Sequence, residues 1–336
     1  MVNVRMWGKA IVRMPRISNE EWKGLDIVSR WLISARAAVL WMTLFACLFG
    51  GVVAAIEGHF DARLFLVTTV GLMMAHATNN FVNDLTDHWK GTDKGNYFRA
   101  QYGVQPLEQG VMSKREFYIY MGVTGAIALA CGAYLVHERA GHVLMLLGMG
   151  AFFVLFYTYP LKYYGFGEFA VVAVWGPLMV GGTHYVITGA WSAKALLMGF
   201  VYCLSPTQVI FGKHIDKIVP DTGKRIRTLP VILGGKSSQR VVQGVMLVQA
   251  LSLVPLVAFR IFSPTILVAL VSLDSLRKVW RIYNGARPAD KPNRRMGEMW
   301  PLWFSAWSFL HSSRFAFYLL MGLYAEVALR HFHVLP

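Results

Sequence analysis

Charge is scarce in this chain. Asp, Glu, Lys and Arg make up 15% of its 336 residues, where a soluble domain carries about 25%. Hydrophobic residues make up 55%, so much of the surface is not built for water. This excludes an ordinary soluble domain and a charged disordered chain. Cysteine is nearly absent too. Cys47, Cys131 and Cys203 lie inside apolar runs, at spacings that suit neither a metal site nor a disulfide framework. They read as small buried hydrophobes. The first thirty residues are polar and basic, with no short apolar region and small-residue cleavage site. No cleavable signal peptide is expected.

What is present is a series of long apolar runs. They lie at 35–56, 64–83, 117–136, 142–160, 168–189, 195–213, 241–259, 262–280 and 301–329, each near the ~20 residues that a bilayer core requires. Backbone groups in lipid must satisfy one another, so the runs predict helices. The expectation is an all-α membrane protein with about nine transmembrane helices. Charges interrupt two runs, Asp274, Arg277 and Lys278 in one and Arg314 in the last. Residues 1–30 read as an interfacial amphipathic helix. Trp22, Leu25, Ile27, Val28 and Trp31 give it an apolar side, and Lys23 and Arg30 a basic side. Residues 31–336 are the transmembrane domain.

The net charge of +15 does not predict nucleic-acid binding. Lys and Arg gather in the N-terminal segment, the 84–116 and 213–240 loops and the 281–300 region. The opposite loops carry only Arg63, Arg139, Lys194, Arg260 and Arg330. This asymmetry predicts a cell-membrane protein with a cytoplasmic N-terminus and an outside C-terminus. The basic excess then serves topology and contact with anionic membrane lipids.

Two cytoplasmic loops begin with acids and then turn basic, a faint internal repeat. The first reads NNFVNDLTDHWKGTD, from Asn79 to Asp93. Asn80, Asn83, Asp84 and Asp87 fall at i, i+3, i+4 and i+7, on one helical face. One Asp at mid-bilayer costs roughly 2.5–3.5 kcal/mol, so this stripe should face the bundle interior and meet a cation. Asp, Asn and water oxygens suit Mg²⁺, which takes phosphate oxygens as co-ligands. Gly91-Thr92-Asp93 should end the helix and return a third acid to the site.

The second cluster reads GKHIDKIVPDTGKRIRTLPVILG, from Gly212 to Gly234. Gln208 and Gly212 precede Asp216 by two turns and one. Lys213 and Lys217 flank it. Pro220 should limit the helix and leave Asp221 in the following loop. Lys224, Arg225 and Arg227 come next, as Lys90, Lys94 and Arg99 follow the first cluster. Acids among bases suit one polyanionic ligand, with the acids holding metal and the bases neutralising phosphate. For each base, topology alone is an equal explanation. His76, two turns deeper than Asp84, is expected to line a cavity and is a candidate base. His214 is expected to orient its loop or act as a base.

These residues resemble the UbiA superfamily of intramembrane prenyltransferases. Asn83, Asp84, Asp87 and Asp93 match its NDxxDxxxxxD motif. GKRIRTLPV, from Gly223 to Val231, is similar to its GKRTLPV run with two residues inserted. YTYPLKYYGFGE, from Tyr157 to Glu168, is similar to the segment where a Tyr and a Lys approach the diphosphate. GPLMVGGTHYVITG, from Gly176, looks more like the naphthoate and homogentisate branches than the hydroxybenzoate branch. The second motif departs from the family. Asp216 and Asp221 are one residue further apart than in DxxxD, and Lys213-His214 stands where Asn is common. The resemblance covers roughly residues 30–330.

It implies nine helices around a central cavity, with both Asp motifs at the cytoplasmic face. Asn83, Asp84, Asp87, Asp216 and Asp221 would hold Mg²⁺, the four acids being catalytic. Asn80, Asn83, His76, Lys90, Lys94, Arg99, Tyr157, Lys162, Gln208, Lys213 and Lys217 would bind substrate. The implied reaction moves a prenyl group from an isoprenoid diphosphate to a lipophilic, aromatic acceptor. A membrane terpene cyclase and transfer to a non-aromatic acceptor use the same metal site. A transporter of a divalent ion or phosphate compound is the reading from another class. Against it, both clusters lie at one membrane face, where transporter sites tend to lie near the midplane.

Overall fold

The computed structural model describes residues 2–95, 98, 101–292 and 299–334. Helices are the only regular structure among them. Three short helices come first: α1 (Val4–Val12), α2 (Asn19–Lys23) and α3 (Ile27–Ser34). The long helices then begin with α4 (Ala37–Ile56), α5 (Ala62–Trp89) and α6 (Lys114–Arg139). Next come α7 (His142–Tyr164), α8 (Gly167–Thr188) and α9 (Ala193–Asp216). Two short helices, α10 (Ile218–Gly223) and α11 (Leu229–Leu233), lead to α12 (Gly235–Ala258). A 3₁₀ segment, Pro264–Ser272, leads into α13 (Leu273–Asn284), and α14 (Phe304–His331) follows.

Six helices are long and apolar enough to cross a bilayer: α4, α6, α7, α8, α9 and α12. Helices α5 and α14 have 28 residues each, but one carries the polar stripe and the other Arg314. Helix α13 is amphipathic, with Leu276, Val279 and Tyr283 buried and Asp274, Lys278 and Arg281 exposed.

The N-terminal segment differs from the single interfacial helix expected to residue 30. Asn3, Ser18 and Asp26 each cap a new helix with a side-chain oxygen, which divides the segment into three. Trp22 and Leu25 turn inward and pack with Phe81 and Leu85 of α5, while Ile27 and Val28 stay exposed.

Helix α9 runs through the middle of the bundle, against α4, α8, α12 and α14. Small residues let the backbones approach. A Cβ on Gly199 would lie 2.9 Å from the Gly176 carbonyl oxygen of α8, the close packing that glycine permits between membrane helices. Gly212 plays the same part near the C-terminal end of α9. A Cβ there would meet the Tyr283 hydroxyl at 2.7 Å and the Ser305 nitrogen at 2.8 Å. Gly212→Ala should therefore cost about 1–3 kcal/mol, read as a lower unfolding temperature in detergent. An unchanged temperature would show that α14 can yield.

Proline shapes two helices. Tyr157–Leu161 and Val174–Gly181 are π-helical turns containing Pro160 and Pro177. Proline lacks the amide hydrogen that the ladder requires, and such turns break helix regularity. At the first one Tyr159 leaves helical dihedrals (φ −134°, ψ 126°). This turns the end of α7 towards α5.

Candidate active site

The polar stripe of α5 is buried, as its burial cost requires. Asn80, Asn83, Asp84 and Asp87 are all under 9% exposed, and each meets a partner. Asn80 Nδ2 donates to the Ala35 carbonyl at 2.9 Å. Asn83 Nδ2 donates to Thr158 Oγ1 at 2.9 Å. Asp84 forms an ion pair with Arg36. Asp87 accepts from Lys162 Nζ at 2.9 and 3.0 Å, one bond to each oxygen, and from the Tyr163 hydroxyl at 3.3 Å. Lys162 is itself buried. A buried ion pair holds only if geometry and extra hydrogen bonds offset desolvation, and the bidentate contact with the Tyr163 bond supplies both.

The Pro160 turn makes this possible, because it puts Thr158, Lys162 and Tyr163 on the side that faces α5. Past the end of α5, the Thr92 and Tyr163 hydroxyls meet at 2.5 Å. Asp93, expected to return toward the site as a third acid, is buried next in sequence to Thr92.

The second cluster closes the same site. The positive charges of Lys217 and Lys213 act on Asp87. Lys217 pairs with Asp221 at 2.9 Å. Burial works against the Lys217 charge, but Asp221 outweighs it and holds the ammonium above its ordinary value. Asp221 corrects one expectation. It lies in helix α10, not in a loop, because Pro220 falls within the first turn of that helix, where the missing amide costs nothing.

Asp216 is engaged in a way that sequence did not suggest. Its Oδ1 accepts from the Phe304 amide at 3.1 Å and its Oδ2 from the Ser305 amide at 3.0 Å. Asp216 therefore caps the start of α14 from another helix. Gln208 also departs from expectation. It is fully buried, donates to Gln249 at 2.7 Å and does not line the cavity.

The other bases divide. Lys213 lines the cavity. Lys90 sits over the Tyr159 ring at 3.5 Å, a cation–π contact. Lys94 is exposed, and its carbonyl accepts from Lys224 at 3.0 Å. Arg99 lies outside the described residues. His214 Nδ1 meets buried Glu168 at 2.6 Å, which joins α9 to the start of α8.

A cavity of about 880 Å³ opens from this polar end into the bundle, within the size range of ligand pockets. Arg36, Asn80, Asn83, Tyr157 and Lys213 line its polar end, and largely apolar residues of α4 to α9 and of α14 line the rest. His76 is on its wall, where Nδ1 shares a hydrogen bond with Thr43 at 2.8 Å and the ring meets Trp175 edge-on.

Among the described residues, no three His, Cys, Asp or Glu side chains converge as a ready-made metal site. The donor set of the first cluster still suits a hard cation, with an amide oxygen and two carboxylates on one buried face. Arg36 and Lys162 neutralise those carboxylates here. Sequence reading missed Arg36 and Glu168 as partners. Arg36 looked like one more cytoplasmic charge, and its position beside the first apolar run was the available signal.

The chain has relatives. The model of the UbiA prenyltransferase family matches residues 43–302. The chain is 28% identical to an Escherichia coli 1,4-dihydroxy-2-naphthoate octaprenyltransferase, over 62% of this chain and 70% of that one. It is 28% identical to a Gallus gallus UbiA prenyltransferase domain-containing protein 1, over 53% and 54%, so it spans about half of that relative. In fold it is similar to a UbiA homologue from Aeropyrum pernix K1, with TM-score 0.63, 16% identity and 84% and 97% coverage. It is also similar to a UbiA homologue from Archaeoglobus fulgidus solved with GPP and Mg²⁺, with TM-score 0.55, 13% identity and 88% and 99% coverage. The helical bundle, the buried acid stripe at one end of its cavity and the match over most of the length agree: the chain belongs to the UbiA prenyltransferase family.

Proposed function

We propose that this enzyme moves a prenyl group from an isoprenoid diphosphate to an aromatic, naphthoate-type acceptor held in the cavity. The observation that carries this is a largely apolar cavity lined at one end by Arg36, Asn80, Asn83, Tyr157 and Lys213, where Arg36 pairs with Asp84 and the buried Asp87–Lys162 pair follows one turn on from Asn83 along α5. A diphosphate needs the charged end and a prenyl tail the apolar remainder. In this reading all nine apolar runs span the membrane, and both acid clusters face the cytoplasm.

Asn83, Asp84 and Asp87 would hold Mg²⁺, with Asp221 as the acid from the second cluster. When bound, the metal supplies positive charge that weakens the bond between the allylic carbon and the diphosphate oxygen. Lys162, Lys213 and Lys217 neutralise charge that builds on the leaving diphosphate. Tyr157 borders the space beside them. Trp175 and His76, further along the wall, flank the acceptor, and the π face of Trp175 favours a nearby cation. The acceptor ring carbon forms the new carbon–carbon bond in place of the broken bond to the diphosphate oxygen, and its proton passes to His76 on the wall. Excluding water from the apolar walls protects the allylic cation from hydrolysis.

Transfer of a labelled prenyl group should fall about 10²-fold or more in Asp84→Asn and in Asp221→Asn, in protein shown to be folded. Near-full transfer by both variants would sink the proposal.

A further inference from the structure

Helix α1 lies outside the residues that the family model matches, yet it borders the cavity. Arg13, just past its end, and Met14 line the cavity with Val12. Val12 is also 73% exposed, so it stands where the cavity meets the outside. The Trp41 indole, on the second turn of α4, donates to the Ile11 carbonyl at 3.1 Å. Trp41 is itself 44% exposed, as tryptophans at membrane interfaces are. That bond fixes the end of α1 beside the first turns of α4.

One side of α1 fits the protein and the other does not. Ala10 is buried against the bundle. Val4, Gly8, Ile11 and Val12, at i, i+4, i+7 and i+8, form an exposed apolar stripe. Arg5 and Lys9 lie beside it, with Arg13 and Arg16 just beyond. An exposed apolar stripe edged with basic residues suits an anionic lipid surface. Asp26 fastens the helix in place. Its carboxylate accepts from the Asn3 amide, the Trp7 indole, and the Ser29 amide and hydroxyl, at 2.7–3.0 Å.

We propose that α1 lies in the headgroup layer of the cytoplasmic leaflet, binds anionic lipid, and frames the doorway by which a membrane-dissolved prenyl diphosphate reaches the cavity. The doorway rests on the prenyl-transfer reading; the lipid contact does not. Helix α1 presents its apolar stripe to the acyl boundary and its basic residues to the headgroups. A diphosphate sliding past Arg13 stays at the depth of the polar end while its tail remains in lipid.

The test uses the full chain in vesicles of neutral lipid, with and without added anionic phospholipid. Gly8 has open space around it, so a spin label on Gly8→Cys fits, with Cys47, Cys131 and Cys203 replaced by alanine. Oxygen, which favours lipid, should reach the label better than an aqueous nickel complex does, more so with anionic lipid. Full access to nickel, or coupling to a label on a second copy, would overturn the lipid contact. In the second arm, Val4→Asp/Ile11→Asp should raise KM about tenfold for a long-chain prenyl diphosphate. KM for a short, water-soluble one should stay unchanged. Equal changes for both, or none, would overturn the doorway. If wild type uses neither substrate, the prenyl-transfer reading and the doorway fall together, and the spin label still decides the lipid contact.

Discussion

Lys162→Met is expected to lower prenyl transfer by about 10²- to 10³-fold and to destabilise the protein. Lys162 is the closest cation to Asp87, and both are buried. Removing one member leaves an unpaired carboxylate in a poorly hydrated site, which costs about 3–5 kcal/mol. The Tyr163 hydroxyl, at 3.3 Å, then remains with the more distant charges of Lys217 and Lys213. Stability and catalysis separate in the double variant. Asp87→Asn/Lys162→Met removes both charges, so its unfolding temperature should return most of the way to wild type while transfer stays low. The two single losses should not add, since the residues touch. A double variant with wild-type transfer would make the pair structural only.

Asp216 carries the second large effect, and it falls first on stability. Asp216→Ala leaves the Phe304 and Ser305 amides without their acceptor in a buried setting. An unsatisfied buried donor costs about 1–3 kcal/mol, and loss of a cap about 0.5–2 kcal/mol. Asp216→Asn keeps one oxygen acceptor and should lose roughly half as much. Both losses are read in thermal unfolding in detergent. The Mg²⁺ concentration for half-maximal transfer should then rise much less in Asp216→Asn than in Asp84→Asn. If Asp216→Asn instead raised that concentration as much as Asp84→Asn and left unfolding unchanged, Asp216 would be a metal ligand first. Gly212, one turn earlier, belongs to the same junction. Its missing side chain lets the start of α14 come close enough for Asp216 to reach two amides.

Much of this site was legible along the chain because it is local. Asn80, Asn83, Asp84 and Asp87 share a face through helical periodicity alone, and the burial cost of such a stripe implies an inward direction. Lys162 and Tyr157 were found through resemblance to a segment, not through spacing. What could not be read were partners set by distant contacts. Arg36 meets Asp84 across 48 positions and Glu168 meets His214 across 46. No local pattern encodes such pairs.

Pro220 shows a smaller limit. A proline is compatible with a helix's first turn as well as with its end, so sequence left Asp221 in a loop. Asp216 shows a larger one. Its charge and its place among bases suit a metal ligand or a helix cap equally, and the choice depends on whether a helix start lies within hydrogen-bond reach of its oxygens.

By itself the sequence determined an all-helical membrane protein, from scarce charge and runs of spanning length, since lipid leaves the backbone no other way to satisfy its hydrogen bonds. It also determined that one helix carries an inward acid stripe. Only the tertiary structure decided which cation neutralises each acid, that Asp216 caps the last helix, and that α1 borders the cavity. Those outcomes depend on how separate helices approach one another, and that is set by packing across the whole bundle.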